Sequence, residues 1–453
     1  MSHSTVSAPP DPTVVRRVAL ASAIGTTVEW YDYFIYAAAT SLVFGKLFFP
    51  QLDETAGTLA AFMTFAVAYL VRPIGGVYFG HLGDRIGRKA LLVTSLLVMG
   101  LATFAIGLLP TYSAVGIAAP IMLLILRMIQ GIGVSGEWGG AVLMAVEHAP
   151  AKKRGFYGSW PQVGVPAGII LANLVFIAIT TTLSEEQFLS WGWRVPFLIS
   201  IVLVFIGLFI RLRVEESPIF AQVKTAKQEA PAPVLEVWRN YKKQVLLGSV
   251  AFAASVAVGY LTLTYGLTYG TTVLHLSRPL MLSLILVTAA VGGVGILFFS
   301  SLSDRIGRRK VFMGGAVAQA VWAIPFFLLF DTRNPVLILA AFIVMQLSSY
   351  AMYGPMAAIF AEIFNTRVRY TGASLCYQMG TILGGAFTPL IASALLSATG
   401  TSMSISAYVI AISVISATAA FALGESSQNE LVSEVPVEHR APHADRHDAT
   451  TIG

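Results

Sequence analysis

Twelve apolar runs, each long enough to cross a bilayer, leave this chain few ways to fold. They fall at 18–44, 57–80, 90–109, 117–146, 156–181, 193–211, 244–271, 279–302, 311–330, 335–361, 371–397 and 404–423. A bilayer core is about 30 Å thick and a helix rises about 1.5 Å per residue, so one crossing takes roughly 20 apolar residues. Apolar residues make up 56% of the 453 and charged ones 11%, against about 25% charged in a soluble domain. The runs are continuous and do not alternate in polarity, which excludes a transmembrane barrel. The chain reads as an all-α membrane protein with twelve transmembrane helices.

The runs divide into two sets of six. Residues 1–17 read as an N-terminal tail, 18–211 and 244–423 as six-helix bundles, 212–243 as a polar linker and 424–453 as a disordered tail. The run after Arg16-Arg17 is too long for a removable signal peptide. Of the 29 basic residues, Lys46, Arg194, Arg278 and Arg333 lie on one face, Arg72 and Arg127 lie inside runs, and the rest occupy the tails and the loops after even-numbered runs. The positive-inside rule then places both termini in the cytoplasm. The lone Cys376 excludes a disulfide framework. His439, His443 and His447 recur every four residues, but Pro442 interrupts any helix that would align them, so no metal site is expected.

Ionised side chains at the bilayer centre cost roughly 2.5–3.5 kcal/mol each on insertion scales and mark function by default. The first half holds Glu29, Asp32, Arg72, Arg127 and Glu137 within its runs. Counting about 1.5 Å per residue puts Glu29, Asp32, Arg72 and Glu137 near the midplane and Arg127 higher, with a side chain long enough to reach down. Gly25, Glu29, Asp32 and Tyr36 share one helix face, as do Arg127, Gln130, Val134 and Glu137. Both stripes should line a cavity. Three acids against two arginines leave one carboxylate without a countercharge, which makes room for one proton. The second half offers uncharged groups at comparable depth, namely Tyr260, Tyr265, Tyr269, Gln346, Tyr350, Tyr353, Tyr377 and Gln378. These suit the hydroxyl or apolar parts of a substrate.

An internal repeat is visible. Gly80-His-Leu-Gly-Asp84-Arg85-Ile-Gly87-Arg88-Lys89 recurs as Ser300-Ser-Leu-Ser-Asp304-Arg305-Ile-Gly307-Arg308, offset by 220 residues. Glu147 with Arg154 recurs as Glu362 with Arg369, offset by 215. Two unrelated motifs at nearly one offset indicate a duplicated six-helix unit in parallel orientation.

At these residues the sequence resembles the major facilitator superfamily, which carries G-x-x-x-D-R-x-G-R-K between helices 2 and 3 and a weaker copy between helices 8 and 9. Glu29-Trp-Tyr-Asp32-Tyr, Arg72-Pro-Ile-Gly-Gly, Arg127-x-x-Gln130-Gly, Gly136-Glu137-Trp138-Gly-Gly and Trp191-Gly-Trp-Arg-Val-Pro-Phe197 look like its metabolite:proton symporter family. Glu186-Gln-Phe-Leu-Ser-Trp-Gly-Trp-Arg and Arg369-Tyr-Thr-Gly look most like the shikimate-transporter branch. The resemblance implies a multi-pass protein of a bacterial-type plasma membrane that moves small organic acids or zwitterions such as proline and betaine. It also implies that Asp84 holds the start of helix 11, near Thr371 and Gly372, across a cytoplasmic gate. Gly80, Asp84, Arg85, Gly87, Arg88, Asp304, Arg305, Glu147, Arg154, Glu362 and Arg369 form the expected gating set.

No phosphate loop occurs, so ATP does not drive the process directly. The reading is a proton-coupled symporter that imports a small carboxylate metabolite, shikimate-like or dicarboxylic, by alternating access. Arg127, Gln130, Arg72, Tyr36 and the second-half residues Tyr265, Gln346, Tyr350, Tyr377 and Gln378 would bind substrate. Asp32 and Glu29 would carry the proton and Glu137 would tune both. Import of a zwitterion or proton-coupled export shares the fold. An enzyme, a cofactor, a metal and a nucleic-acid partner are not expected, and the monomer should suffice.

Overall fold

The computed structural model describes residues 11–213, 216–217 and 233–427. Twelve long helices run in chain order: α1 (Pro12–Ala39, continued by a wider turn at Thr40–Phe44 and by Gly45–Phe48), α2 (Glu54–Ile86), α3 (Arg88–Leu108), α4 (Ala118–His148), α5 (Trp160–Thr182) and α6 (Val195–Leu212). The second set is α7 (Lys242–Tyr260, then Leu261–Tyr265, Gly266–Thr268 and Tyr269–Val273), α8 (Arg278–Ile306), α9 (Arg308–Phe330), α10 (Pro335–Glu362), α11 (Arg369–Thr381, Ile382–Ala386, then Thr388–Thr399) and α12 (Met403–Leu423). Ten of the described helical stretches are long and apolar enough to cross a membrane by length and composition alone, and α1 and α2 complete the twelve. Large apolar side chains such as Leu70, Phe205, Val294 and Val336 stay exposed, an outer surface suited to lipid and not to water.

Local chemistry sets the helix ends. α1 starts earlier than its apolar run because the Asp11 side chain accepts from the Thr13 amide at 2.8 Å and Pro12 follows. Asn334 caps α10 in the same way, accepting from Val336 at 3.0 Å. The turns into α3 and α9 need φ of 114° at Gly87 and 103° at Gly307, a region open to glycine. Neither helix has a side-chain cap of its own. Glu216, beyond α6, accepts from the Arg88 and Lys89 amides at 3.1 and 3.2 Å, and Glu425, beyond α12, accepts from the Arg308 and Arg309 amides at 2.9 and 3.1 Å. A carboxylate at a helix start satisfies orphan amides and faces the positive end of the dipole.

The expected linker contains the helix Pro233–Asn240, whose Val237 is fully buried. Its charged residues Glu215, Lys224 and Lys227 lie outside the described residues. The same holds for residues 1–10 and for His439, His443 and His447. The expected C-terminal tail is docked at its start, since Glu425 binds the head of α9 and Ser426 donates to Glu362 at 2.7 Å.

Candidate functional site

Helices α1, α2 and α4 bring Glu29, Asp32, Arg72, Arg127 and Gln130 around one small polar pocket, with Tyr33, Met99 and Val134 completing the wall. All five polar side chains are at most 3% exposed. Arg127 lies 4.0 Å from the Tyr36 ring centre and 5.5 Å from that of Tyr33, while Arg72 lies 4.4 Å from Tyr69 and 5.6 Å from Tyr33. Aromatic faces thus hold both guanidinium groups in a desolvated place without neutralising them. Glu29 makes no ion pair or hydrogen bond among the described residues, and its Oε2 and the Oδ1 of Asp32 accept nothing. The other oxygen of Asp32 accepts from Thr103 at 2.8 Å.

The charge count from sequence has to be corrected. Arg211, near the end of α6, is 4% exposed and forms an ion pair with Glu137. It also donates to the Leu92 carbonyl at 2.5 Å, and Ser95 donates to Glu137 at 3.1 Å. Gly25 on α1 leaves the space, since a Cβ there would collide with the Arg211 guanidinium. Three buried acids therefore face three buried arginines. With Glu137 and Arg211 satisfied beside the pocket and absent from its wall, two acids and two arginines remain inside.

A larger chamber of about 640 Å³, part of it continuous with solvent, lies between the halves. Trp30, Phe34, Val165 and Ile169 line it from the first half, and Phe252, Tyr260, Gln346, Tyr350, Tyr353 and Tyr377 from the second. None of its lining residues is charged. The Oε1 of Gln346 is buried without a partner. The hydroxyl groups of Tyr33, Tyr69 and Tyr260 meet between pocket and chamber: Tyr69 is 2.5 Å from Tyr260, Tyr33 is 3.4 Å from Tyr260, and Tyr33 bonds to Tyr69. Three expected substrate residues line neither space. Tyr265 packs with Tyr269 in the core of the second half, and Gln378 donates to the Ser135 carbonyl at 3.4 Å and fills the gap beside Gly76. Tyr36 lies behind the pocket, its hydroxyl 2.7 Å from that of Thr64.

The end bearing the basic loops is closed by two mirrored contacts. Asp84 on α2 accepts from the Tyr370 and Thr371 amides at 3.2 and 3.0 Å and from the Thr371 hydroxyl at 2.8 Å. Asp304 on α8 accepts from the Gly155 and Phe156 amides, both at 2.8 Å, in the short helix Arg154–Gly158 that leads into α5. Arg88 lies 3.6 Å from both Asp84 and Glu147, Arg369 donates to Glu147 at 3.1 Å, and Arg308 contacts Asp304 at 2.6 Å and Glu362 at 3.1 Å. Arg85 and Arg305 are exposed, outside these contacts. Gly80 allows the close approach of α2 to α11, because a Cβ there would sit 3.0 Å from the Thr371 Cα. Among the described residues no group of three or more His, Cys, Asp or Glu side chains is placed to hold a metal.

Sequence reasoning missed Arg211, Thr103 and the Tyr33–Tyr69–Tyr260 cluster. It also missed a third repeat, Glu216-Ser217 with Glu425-Ser426, which has the same contacts in each half, since Ser217 bonds to Glu147 as Ser426 does to Glu362.

Comparisons with known proteins agree with this fold. The family model of the Major Facilitator Superfamily matches residues 22–376 and 291–444. The chain is 44% identical over 382 residues to the "Inner membrane metabolite transport protein YhjE" of Escherichia coli (strain K12), covering 83% of this chain and 87% of that protein. It is 40% identical over 417 residues to the "Shikimate transporter" of the same strain, covering 91% and 95%. The solved structure of the "proton:xylose symporter XylE bound to 6-bromo-6-deoxy-D-glucose" superposes with a TM-score of 0.75 at 17% identity, over 92% of this chain and 98% of that one. A transporter of metabolites and not an enzyme, the chain belongs to the Major Facilitator Superfamily.

Proposed function

We propose that the chain is a proton-coupled symporter that imports a small organic acid, shikimate-like or dicarboxylic, across a bacterial inner membrane with both termini in the cytoplasm. The observation that carries this reading is the pocket with two carboxylates and two arginines, in which Glu29 has no ion-pair partner among the described residues. Such a pocket is neutral when empty. An arriving monocarboxylate makes it negative by one charge, in a place where water cannot compensate. One proton on Asp32 or Glu29 restores neutrality, so substrate and proton each raise the affinity of the other by the same factor. Arg127 and Arg72 offer planar donor forks to the substrate carboxylate. The chamber beside them takes the uncharged body of the molecule against Tyr350, Tyr353 and Tyr377. The Asp84 and Asp304 contacts serve as the cytoplasmic gate, broken when the halves rock apart on that side.

Equilibrium binding in detergent, without a gradient, tests the coupling. Purified protein is screened by thermal shift against shikimate, ketoglutarate, citrate, proline and betaine, since a bound compound stabilises the fold in proportion to occupancy. Affinity for the compound that binds should strengthen as the pH falls from 8 toward 5, with about one proton taken up per molecule. Proton release and weaker binding at low pH would mark an antiporter. Affinity that is flat over this range would make uniport the better reading.

A further inference from the structure

Arg127 and Asp32 do not touch, yet a continuous hydrogen-bonded line joins them. Arg127 donates to the Gln130 Oε1 at 3.1 Å, the Gln130 Nε2 donates to the Thr103 Oγ1 at 2.7 Å, and Thr103 donates to the Asp32 Oδ2 at 2.8 Å. The line has a single sense. A guanidinium can only donate, which fixes the amide of Gln130, and the amide nitrogen can only donate to the hydroxyl. The hydroxyl has one hydrogen but two acceptors in reach, Asp32 and, at 3.0 Å, the Met99 carbonyl one turn back on α3. It can point at the carboxylate while Asp32 is ionised and turn to Met99 once Asp32 holds a proton. Thr103, Gln130, Asp32 and Arg127 are each at most 3% exposed, so water does not replace these bonds.

We infer that Thr103 is the positioning residue that ties protonation of Asp32 to occupancy of Arg127, through the line Arg127–Gln130–Thr103–Asp32. The inference rests on the reading of Asp32 as proton carrier. A carboxylate that takes Arg127 draws it from Gln130, Gln130 loosens its hold on the Thr103 oxygen, and the hydroxyl is free to leave Asp32. Losing that donor disfavours the ionised form and favours proton uptake. Besides Arg127, the charged groups that share the pocket with Asp32 are Glu29 on its own helix and Arg72 on α2, with Tyr31 and Tyr33 on α1 beside them, while Glu137 on α4 is paired with Arg211 on α6 outside the pocket wall. α5 carries no charged residue, and α3 carries only Arg88 and Lys89 at its far end. Thr103 is therefore the polar contact that α3 makes with Asp32, beside the apolar wall that its Met99 contributes.

The test needs no substrate. Infrared titration of the purified full-length protein from pH 4 to 9 follows the carboxylic acid band that Asp32→Asn removes. Thr103→Val should move its midpoint to higher pH by about one unit, the loss expected for a hydrogen bond to a charged group. Thr103→Ser should restore the wild-type midpoint. Gln130→Met should shift it the same way, and Thr103→Val with Gln130→Met should shift it no further than Thr103→Val alone, because both cut one line. Should Thr103→Val fail to fold, the smaller Thr103→Ala carries the same expectation. An unmoved midpoint in the Thr103 variants, or shifts that add in the double variant, overturns the inference and leaves the symport reading standing. If no band assigned to Asp32 titrates in the wild type, the proton-carrier reading fails first and takes this inference with it. A purely structural role would lower the unfolding temperature without displacing the band.

Discussion

Glu137→Gln strands the buried Arg211 without its carboxylate, and breaking a buried pair from one side costs about 3–5 kcal/mol. The unfolding temperature in detergent should drop sharply, while Glu137→Leu with Arg211→Met should recover most of it, because two apolar groups need no countercharge. A double variant as unstable as the single one would show that Arg211 matters for more than this pair. Within the pocket, Asp32→Asn should abolish uphill uptake driven by a proton gradient yet keep downhill exchange, measured in proteoliposomes. Normal accumulation would make Asp32 structural. Arg127→Lys should weaken binding at least tenfold despite the retained charge, since lysine loses the two-pronged contact. The stripes on α1 and α4 were legible because helical spacing alone puts Glu29 with Asp32 and Arg127 with Gln130 on one face. Arg211 was not, because at the end of an apolar run it has the sequence signature of a basic flank, and only packing shows its side chain turning inward past Gly25. Thr103 carries no signal at all, being one of two threonines in an apolar helix.

At the level of elements, length and hydropathy expose the twelve helices because the bilayer fixes both. What they hide is rotation. α7 and α11 contain wide turns at Leu261–Tyr265, Tyr269–Val273 and Ile382–Ala386, and each such turn inserts a residue and swings the following face. Tyr265, placed in the site by counting, is carried into the core instead. The helix starts at α3 and α9 depend on carboxylates from elsewhere, and for Glu425 the pH consequence can be signed. Partial burial pushes its carboxyl up, but hydrogen bonds from Ser427 and from the Arg308 and Arg309 amides outweigh that and hold it below the usual value. A group favoured as the anion in the folded state stabilises above its unfolded pKa and ceases to do so as the pH falls through its folded one. The contact should hold at neutral pH and release only when acidification passes below the ordinary glutamate range. A spin label at Ser427 should be immobile at pH 7, mobile at low pH, and already mobile at pH 7 in Glu425→Gln.

For the whole molecule, the two halves meet through Asp84 and Asp304 at the basic end and through the tyrosine hydroxyl groups at mid-depth. Asp84→Asn should slow turnover severalfold with little loss of equilibrium binding, because the residue lies outside the pocket and acts on the gate. A distance probe between Arg85 and the segment before Thr371 should lengthen when the basic side opens, and a constant distance would remove Asp84 from the gating step. The two contacts have a further consequence. Each half presents one such aspartate, and most of what it grips on the other half is main chain: the amides of Tyr370 and Thr371 in one direction, joined by the Thr371 hydroxyl, and those of Gly155 and Phe156 in the other. An amide is the same whatever side chain it carries, so the receiving loops can drift in sequence without loosening the grip. Hybrid proteins that splice the first half of one relative to the second half of another should therefore still close at this end, provided each half brings its own aspartate and the hybrid keeps Thr371 and the Glu147–Arg369 pair.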